Sequence, residues 1–395
     1  MSQWPEVKPP AEVTIELDDI EKQWYGKLKI YYFHDFSSCG YYRCWLPSVY
    51  LRSSTMAKVK TSYEEESQIE RDVLISPQVR LSPSYMMMKK QKVLDAIDWA
   101  DIVVLQRMAE IEGVRMIDLI QSKGKPVVHE VDDVCELVPQ GNPSYWYWRD
   151  EERIRRHGEC FKKADLVTCT NPRAARFYKE RYGTPVAILP NQIDYGSSRW
   201  RDINYDKGPG VTIGWMGSES HVVELEVLSK VVPWLLETYP EARFEFLGFL
   251  PEWATGLPRT VHKQTDILGV PREMANWDIG LASISDIPFN TVGKSDVKFL
   301  EYSAAFTATV ASNLETYSSS IVSGENGLLA RWDDPDEWKG KIKKLIENPE
   351  MRRRFVLQAH NYVRAERSMQ QNIAKWFKVY LGLHTRGRVS GVEII

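Results

Sequence analysis

Hydrophobic positions along this chain fall into a repeating order: a short continuous apolar run, a polar turn, then a longer stretch with helical spacing. Short β-branched runs without strict alternation are what parallel strands covered on both faces require. The first is Lys27–His34, centred on Ile30-Tyr31-Tyr32-Phe33. Further strands are predicted at Asp72–Ile75, Asp101–Gln106, Pro126–Val131, Asp165–Thr170 and Pro185–Leu189. Helices are predicted from about Leu46 and over Met86–Ile97, Glu110–Lys123, Glu151–Lys163 and Pro172–Tyr182. Val13–Asp19 reads as an added edge strand after a polar, Pro-rich arm at 1–12, and Glu64–Glu66 as a solvated acidic loop.

The order breaks at Pro190-Asn191-Gln192-Ile193-Asp194 and the polar, Gly-containing stretch to Gly210, which reads as a linker. It resumes with strands at Val211–Met216, Ala242–Leu247, Asp278–Ile284, Ala308–Ala311 and Gly327–Arg331. Helices are expected at Val222–Tyr239, from Ser295, and at Asp336–Glu347, Pro349–Ala365 and Gln370–Leu383. Repeated βα units predict an α/β protein with two doubly wound domains, the first at 1–195 and the second at 211–369, joined by a linker at 196–210. At 395 residues the chain is long enough for two cores.

Charge removes one class of partner. Residues 1–195 hold 27 basic and 29 acidic side chains and 196–395 hold 24 and 25, so neither half is a basic lobe for generic nucleic-acid binding. Five cysteines without a Cys-x-x-Cys pair suit reduced thiols, and with no apolar run long enough to span a bilayer the expectation is a soluble, cytoplasmic protein.

The chemistry concentrates at 288–306. Pro288 and Gly293 turn the chain out of the strand Asp278–Ile284, and Ser295 suits the N-cap of the next helix. Val297, Leu300, Ala304 and Ala305 give that helix an apolar stripe. At ~100° per residue, Lys294, Lys298 and Glu301 share a sector of roughly 60°. Two ammonium groups at a positive helix end suit a diphosphate, and the carboxylate one turn on suits ribose hydroxyls. An isolated trio of this kind also describes a solvated face; its place after a strand and a turn favours a ligand. Gly217 and Ser218 end the strand that opens the second domain, either as a phosphate-approaching turn or as a simple one.

Five motifs around this one complete a pattern of six. Cys39-Gly40-Tyr41-Tyr42-Arg43-x-x-x-Pro47, His129-Glu130-Val131-Asp132-Asp133 and Leu189-Pro190-Asn191-x-Ile193-Asp194 lie in the first half. Gly214-Trp215-Met216-Gly217-Ser218, Gly293-Lys294-Ser295-x-x-Lys298-Phe299-Leu300-Glu301-Tyr302 and Gly324-x-x-Gly327-Leu328-Leu329 lie in the second. In this order they resemble the retaining nucleotide-sugar glycosyltransferases of the GT-B fold, family 4 or group 1. The resemblance implies two Rossmann-like domains facing across a cleft, the donor on the second and the acceptor on the first, with the C-terminal segment 370–395 returning to the first. It implies sugar transfer from a nucleoside diphosphate sugar to an acceptor hydroxyl with retention, the leaving diphosphate assisting, and neither cofactor nor bound metal.

On that resemblance the donor site comprises Gly40, Arg43, Gly217, Ser218, Lys263, Lys294, Ser295, Lys298 and Glu301, and the catalytic groups are His129, Asp132 and Lys294. Two departures bear on it: Trp215 and His221 stand near where the family has an Arg and a Lys, and Lys294 replaces the first of two glutamates spaced eight apart. Arg43 alternatively caps a helix, Gly40 makes a turn, His129 is structural, and Asp132-Asp133 either caps the next segment or binds a hard cation. Tyr145-Trp146-Tyr147-Trp148 reads as a stacking surface or as core, and Tyr85–Lys92 as a peripheral membrane contact or a packed helix start. Arg153, Arg155, Arg156, Lys162 and Lys163 offer a local basic strip. The expected acceptor is a glycan or lipid first and a hydroxylated DNA base second. A nucleotide-sugar epimerase and a non-catalytic sugar-nucleotide-binding protein are the alternatives.

Overall fold

The computed structural model describes residues 19–35, 37–62, 83–203, 207 and 210–385. The arm at 1–12, most of Val13–Asp19, the acidic stretch at 64–66, the Asp72–Ile75 strand and the side chains of 83–88 lie outside the described residues. The chain divides into two compact units. The described part of the first falls within 14–133, 149–190 and 372–395; the second takes 134–148 and 191–371. The chain therefore leaves the first unit at Pro190 and returns at Asn372, and a segment of the first half, 134–148, packs with the second unit.

In the first unit β1 (Lys29–Phe33), β2 (Lys58–Thr61), β3 (Ile102–Gln106), β4 (Val127–Glu130), β5 (Leu166–Cys169) and β6 (Val186–Ile188) form one parallel sheet ordered β2-β1-β3-β4-β5-β6. Every residue of β3, β4, β5 and β6 is buried, which is why these strands read as unbroken apolar runs. Helix boundaries have local causes. Asn171 accepts from the amides of Arg173 and Ala174 with Pro172 behind it, and Gly183 at φ +78° ends the same helix. The helix Met369–Thr385 closes the unit through buried Trp376, Phe377 and Tyr380, and the Tyr32 hydroxyl donates to Tyr380 at 3.1 Å.

In the second unit β7 (Thr212–Gly217), β8 (Arg243–Gly248), β9 (Thr260–Lys263), β10 (Ile279–Ala282), β11 (Ala308–Ser312) and β12 (Leu328–Ala330) form a parallel sheet ordered β12-β11-β10-β7-β8-β9. Its core gathers Ile213, Trp215, Phe244, Phe246, Leu281, Val310 and Trp338. Register is set by a device used in both units: an aspartate just ahead of a strand accepts from the first amides of its neighbour. Asp101 takes Lys29, Asp165 takes Val127 and Asp278 takes Thr212, at 2.8–2.9 Å. Gly214 and Gly280 are paired across β7 and β10. A Cβ at either would lie 2.1 Å or 2.6 Å from the rings of Trp277 and Tyr302, so the missing side chains let those rings lie on the sheet.

The expected linker is more structured than its composition implies. Ser198–Arg201 is a helical turn capped by Ser197, Trp200 is 2% exposed, and Ile193 pairs with Ser368 as an isolated parallel bridge.

Candidate functional site

In a parallel doubly wound sheet the carboxyl ends of the strands carry the ligand-facing loops. In the second unit these are the loop after β7 and the turn from β10 into the helix Val297–Ala304. That helix starts two residues later than expected. Its N-cap position is Asp296, which makes no side-chain cap, and the Ser295 hydroxyl instead accepts from the Asn191 amide at 2.9 Å. Lys294 lies ahead of the helix in extended backbone, so it does not share a helical face with Lys298 and Glu301 as the periodicity argument required.

The charges of both lysines nevertheless bear on one pair of side chains, His221 and Glu224. The Lys294 ammonium stands 4.5 Å over the Phe289 ring, and Lys298 is 5.7 Å over Trp215 and 3.4–3.5 Å from both ring nitrogens of His221. His221 is 3.6 Å from the carboxylate of Glu224, which is 3% exposed. Burial, then the charge of Lys298, pulls the His221 imidazole down to about 4. Burial alone would raise the Glu224 carboxyl; the His221 contact and the charges of Lys298 and Lys294 outweigh it and hold it down at about 2. At neutral pH the cluster is two ammonium groups, one neutral imidazole and one buried carboxylate. Glu301, 1% exposed, sits one turn beyond Lys298.

A second network fixes the head of this helix. Asp296 accepts from both terminal guanidinium nitrogens of Arg367, at 2.7 and 2.9 Å, and from the Ser320 hydroxyl at 2.5 Å. Arg367 also donates to the Asn191 carbonyl at 3.1 Å. Asn191 thus meets both Ser295 and Arg367. The pairing of residues 71 apart leaves no local signal in the sequence, whereas the i,i+3 spacing of His221 and Glu224, on two successive 3-10 turns, is the signal by which that missed pair could have been found.

Gly217 is tightly covered: a Cβ there would lie 2.6 Å from the Trp215 ring, and its carbonyl accepts from Phe249 at 2.8 Å. Ser218 is exposed and its hydroxyl is 2.6 Å from that of Ser220. Lys263 corrects an expectation. Its ammonium is held between Glu245 at 2.9 Å and Glu273 at 3.4 Å, an ion-pair role on the sheet.

Three first-unit expectations change as well. Arg43 lies in a widened π-type turn, Tyr41–Trp45, that aims its guanidinium inward; it is 1% exposed, donates to Glu130 at 2.7 and 3.2 Å and to the Leu189 carbonyl, and presents nothing to a phosphate. Gly40 is helical, not a turn, and a Cβ there would lie 2.1 Å from the Asp35 carbonyl, so the residue serves the chain's own packing. His129 is fully buried against His157 and Phe161, and its Nε2 accepts from the Met108 amide at 3.0 Å. Burial and the neighbouring His157 keep it neutral, well below the usual imidazole range, so it is a packing group and not an acceptor-facing base. Asp132, its side chain 11% exposed, lies 3.5 Å from Arg107, whose backbone is left-handed at φ +45°. No cluster of three or more His, Cys, Asp or Glu side chains suited to a metal occurs among the described residues.

Residues 297–362 match the family model for Glycosyl transferases group 1, a stretch that begins at the helix bearing Lys298 and Glu301. No curated protein matches the chain. Among solved structures it is similar to sucrose-phosphate synthase from Thermosynechococcus elongatus, with 13% identity over 91% of this chain and 100% of that one and a TM-score of 0.64. It is also similar to HepE of Anabaena in complex with UDP-glucose, with 14% identity, coverages of 90% and 99%, and a TM-score of 0.62. A glycosyltransferase from Rickettsia africae gives 15%, 91% and 99%, and 0.60. The chain has the two-domain GT-B fold of the glycosyltransferases. Within it, Val297–Tyr362 carries the group 1 signature, the same family that the sequence motifs resemble.

Proposed function

We propose that the protein is a glycosyltransferase that takes a sugar from a nucleoside diphosphate sugar and passes it to an acceptor hydroxyl with retention of configuration. The observation that carries this reading is that Lys298 stands beside a neutral His221, where the β7 loop and the helix Val297–Ala304 meet, with the charge of Lys294 bearing on the same His221. A diphosphate is the ligand chemistry that two such ammonium groups suit, and Ser218 and Ser295 lie on the two loops involved. Glu301 follows one turn on, placed for ribose hydroxyls. The HepE complex with UDP-glucose, on the same fold, favours a nucleotide-sugar over other diphosphates.

Catalysis on this reading is positioning plus stabilisation of the departing phosphate by Lys294 and Lys298, with no resident cofactor or metal. His221 is uncharged and supplies a donor without adding a third cation. The near-balanced charge of residues 1–195 favours a glycan or lipid acceptor over hydroxylated DNA, and a cytoplasmic location suits the free thiols. Asp132 is kept as an acceptor-side group. Helices long and apolar enough to cross a membrane are absent among the described residues, so contact with a lipid acceptor would be peripheral.

Titration calorimetry of UDP, GDP and ADP against their nucleosides tests the donor assignment. Lys298→Ala should weaken the preferred diphosphate by about 1.5–3 kcal/mol, the range for a hydrogen bond to a charged group, and leave the nucleoside nearly unchanged. Equal loss for both, or no diphosphate preference in the wild type, would overturn it.

A further inference from the structure

The segment 134–148 belongs to the second unit although it is drawn from the first half of the chain. It is fastened to both loops of the candidate donor site. At one end Val134 lies so close to Gly293, just ahead of Lys294, that a Cβ on the glycine would come within 2.8 Å of the Val134 nitrogen. Further along, the Asn142 amide donates to the Ser220 carbonyl at 3.4 Å, in the loop that carries His221. Gly141, left-handed at φ +95°, faces Val223. Asn142 also holds its own turn, accepting from the Ser144 amide and hydroxyl at 2.9 and 2.8 Å.

The aromatic run at the end of this strap divides by exposure. Trp148 is 8% exposed and anchors it, while Tyr147 is 43% and Trp146 77% exposed. Tyr145 and Trp146 meet in a T-shaped contact with ring centroids 5.1 Å apart, which supports the indole from one side. A tryptophan is among the largest apolar groups a chain can leave in solvent, and with exposed Tyr147 next to it in sequence it forms a patch of the kind that interaction surfaces present.

We infer that Trp146, with Tyr147, is a stacking platform for a pyranose ring of the acceptor, and that the acceptor is a glycan. The inference rests on the donor-site reading above. A pyranose presents a face of C–H groups that packs on an indole and a rim of hydroxyls that needs polar neighbours. Gln140, Ser144, Tyr145 and Tyr147 are the polar side chains of this strap that reach its surface, Glu136 and Asn142 being buried. The strap itself, 134–148, holds one carboxylate, Glu136, and no lysine, arginine or histidine, a composition that gives the phosphates of nucleic acid or of an anionic bilayer no cation to pair with. The strap's attachment to both donor-site loops places the platform on the unit that would present the sugar to be transferred.

The test uses the full-length protein, with Trp146→Ala and Trp146→Phe, on an array of immobilised oligosaccharides, on vesicles of zwitterionic and anionic phospholipid, and on single-stranded DNA. UDP, GDP and ADP binding is measured alongside. The wild type should retain a subset of the oligosaccharides, Trp146→Ala should lose them by tenfold or more, and Trp146→Phe should recover part of the loss. Diphosphate affinity should be the same in all three, which separates this platform from the donor site; absent diphosphate binding in the wild type would count against the donor reading instead. Unchanged oligosaccharide binding in Trp146→Ala, no oligosaccharide binding by the wild type, or Trp146-dependent binding of vesicles or DNA in place of oligosaccharides would overturn the inference.

Discussion

Replacing Arg43 by methionine removes one half of an ion pair enclosed within the first unit. The side chains of Arg43 and Glu130 are 1% and 0% exposed and meet at 2.7 Å, and Thr168 also donates to the Glu130 carboxylate. Breaking a buried pair from one side costs about 3–5 kcal/mol, because the remaining charge loses its partner and cannot recover water. Glu130 limits the loss by taking up a proton. Burial already raises its carboxyl, and Arg43 is the largest influence pulling it back down. Without Arg43 the folded-state value climbs further above the unfolded one. The folded chain then holds a proton that the unfolded chain has released, so stability falls as pH rises from the unfolded value through the raised folded value. The methionine variant should therefore lose about 3 kcal/mol or more at pH 8 and distinctly less at pH 5. Urea unfolding followed by circular dichroism at both pH values measures this. Adding Glu130→Gln should restore part of the stability. A loss below about 1 kcal/mol at pH 8 would refute the reasoning. So would intact stability together with lost diphosphate affinity, which would return Arg43 to the donor site.

Other consequences are simpler to read. Glu301→Gln should weaken ribonucleoside diphosphates roughly tenfold, within the range for a hydrogen bond to a charged group, and leave pyrophosphate binding unchanged; calorimetry separates the two. His360, stacked on Phe306 at 3.9 Å and held down at about 4 by burial, stays neutral when folded while the unfolded chain protonates near 6.5. Stability should thus decline as pH falls from 6.5 towards 4, and His360→Asn should flatten that slope by up to one proton, or about 1.4 kcal/mol per pH unit. Gly214→Ala forces a Cβ onto Trp277 and should cost about 1–3 kcal/mol, whereas Gly340→Ala meets open space within a helix and should stabilise by about 0.5–1 kcal/mol. Thermal and urea unfolding of the two variants should move in opposite directions.

The parallel sheets were legible in the sequence because strands buried on both faces leave short apolar runs: β3 to β6 and β10 fall where Val, Ile and Leu cluster, and β11 is a run of small buried residues around Val310. Strand β2 and strand β9 were not, since Lys58-Val59-Lys60-Thr61 and Thr260-Val261-His262-Lys263 are edge strands with polar, partly exposed sides. In the site, Lys298 and Glu301 were readable as one helical face, but Lys294 reaches its place through extended backbone that no periodicity describes. Arg43 and His129 were misread for the same reason: a polar residue beside a strand end looks identical in sequence whether it faces solvent or a buried partner, and only Glu130 and the Met108 amide decide it. The strap at 134–148 carries no sequence mark of belonging to the second unit, because its fastenings to Gly293 and Ser220 are long-range.

The central claim is transfer of a sugar, and the most direct test follows both products at once. Labelled nucleoside diphosphate sugars are incubated with the protein and a panel of oligosaccharide, lipid and hydroxymethylated-DNA acceptors, and released diphosphate, labelled acceptor and the anomeric configuration of the new linkage are measured together. Acceptor-dependent release of diphosphate in a one-to-one ratio with labelled oligosaccharide is expected, with retention at the anomeric carbon and loss of both products in a Lys294→Ala, Lys298→Ala double variant. Conversion of the donor sugar without any acceptor, or donor binding with no diphosphate released under any acceptor, would contradict that claim.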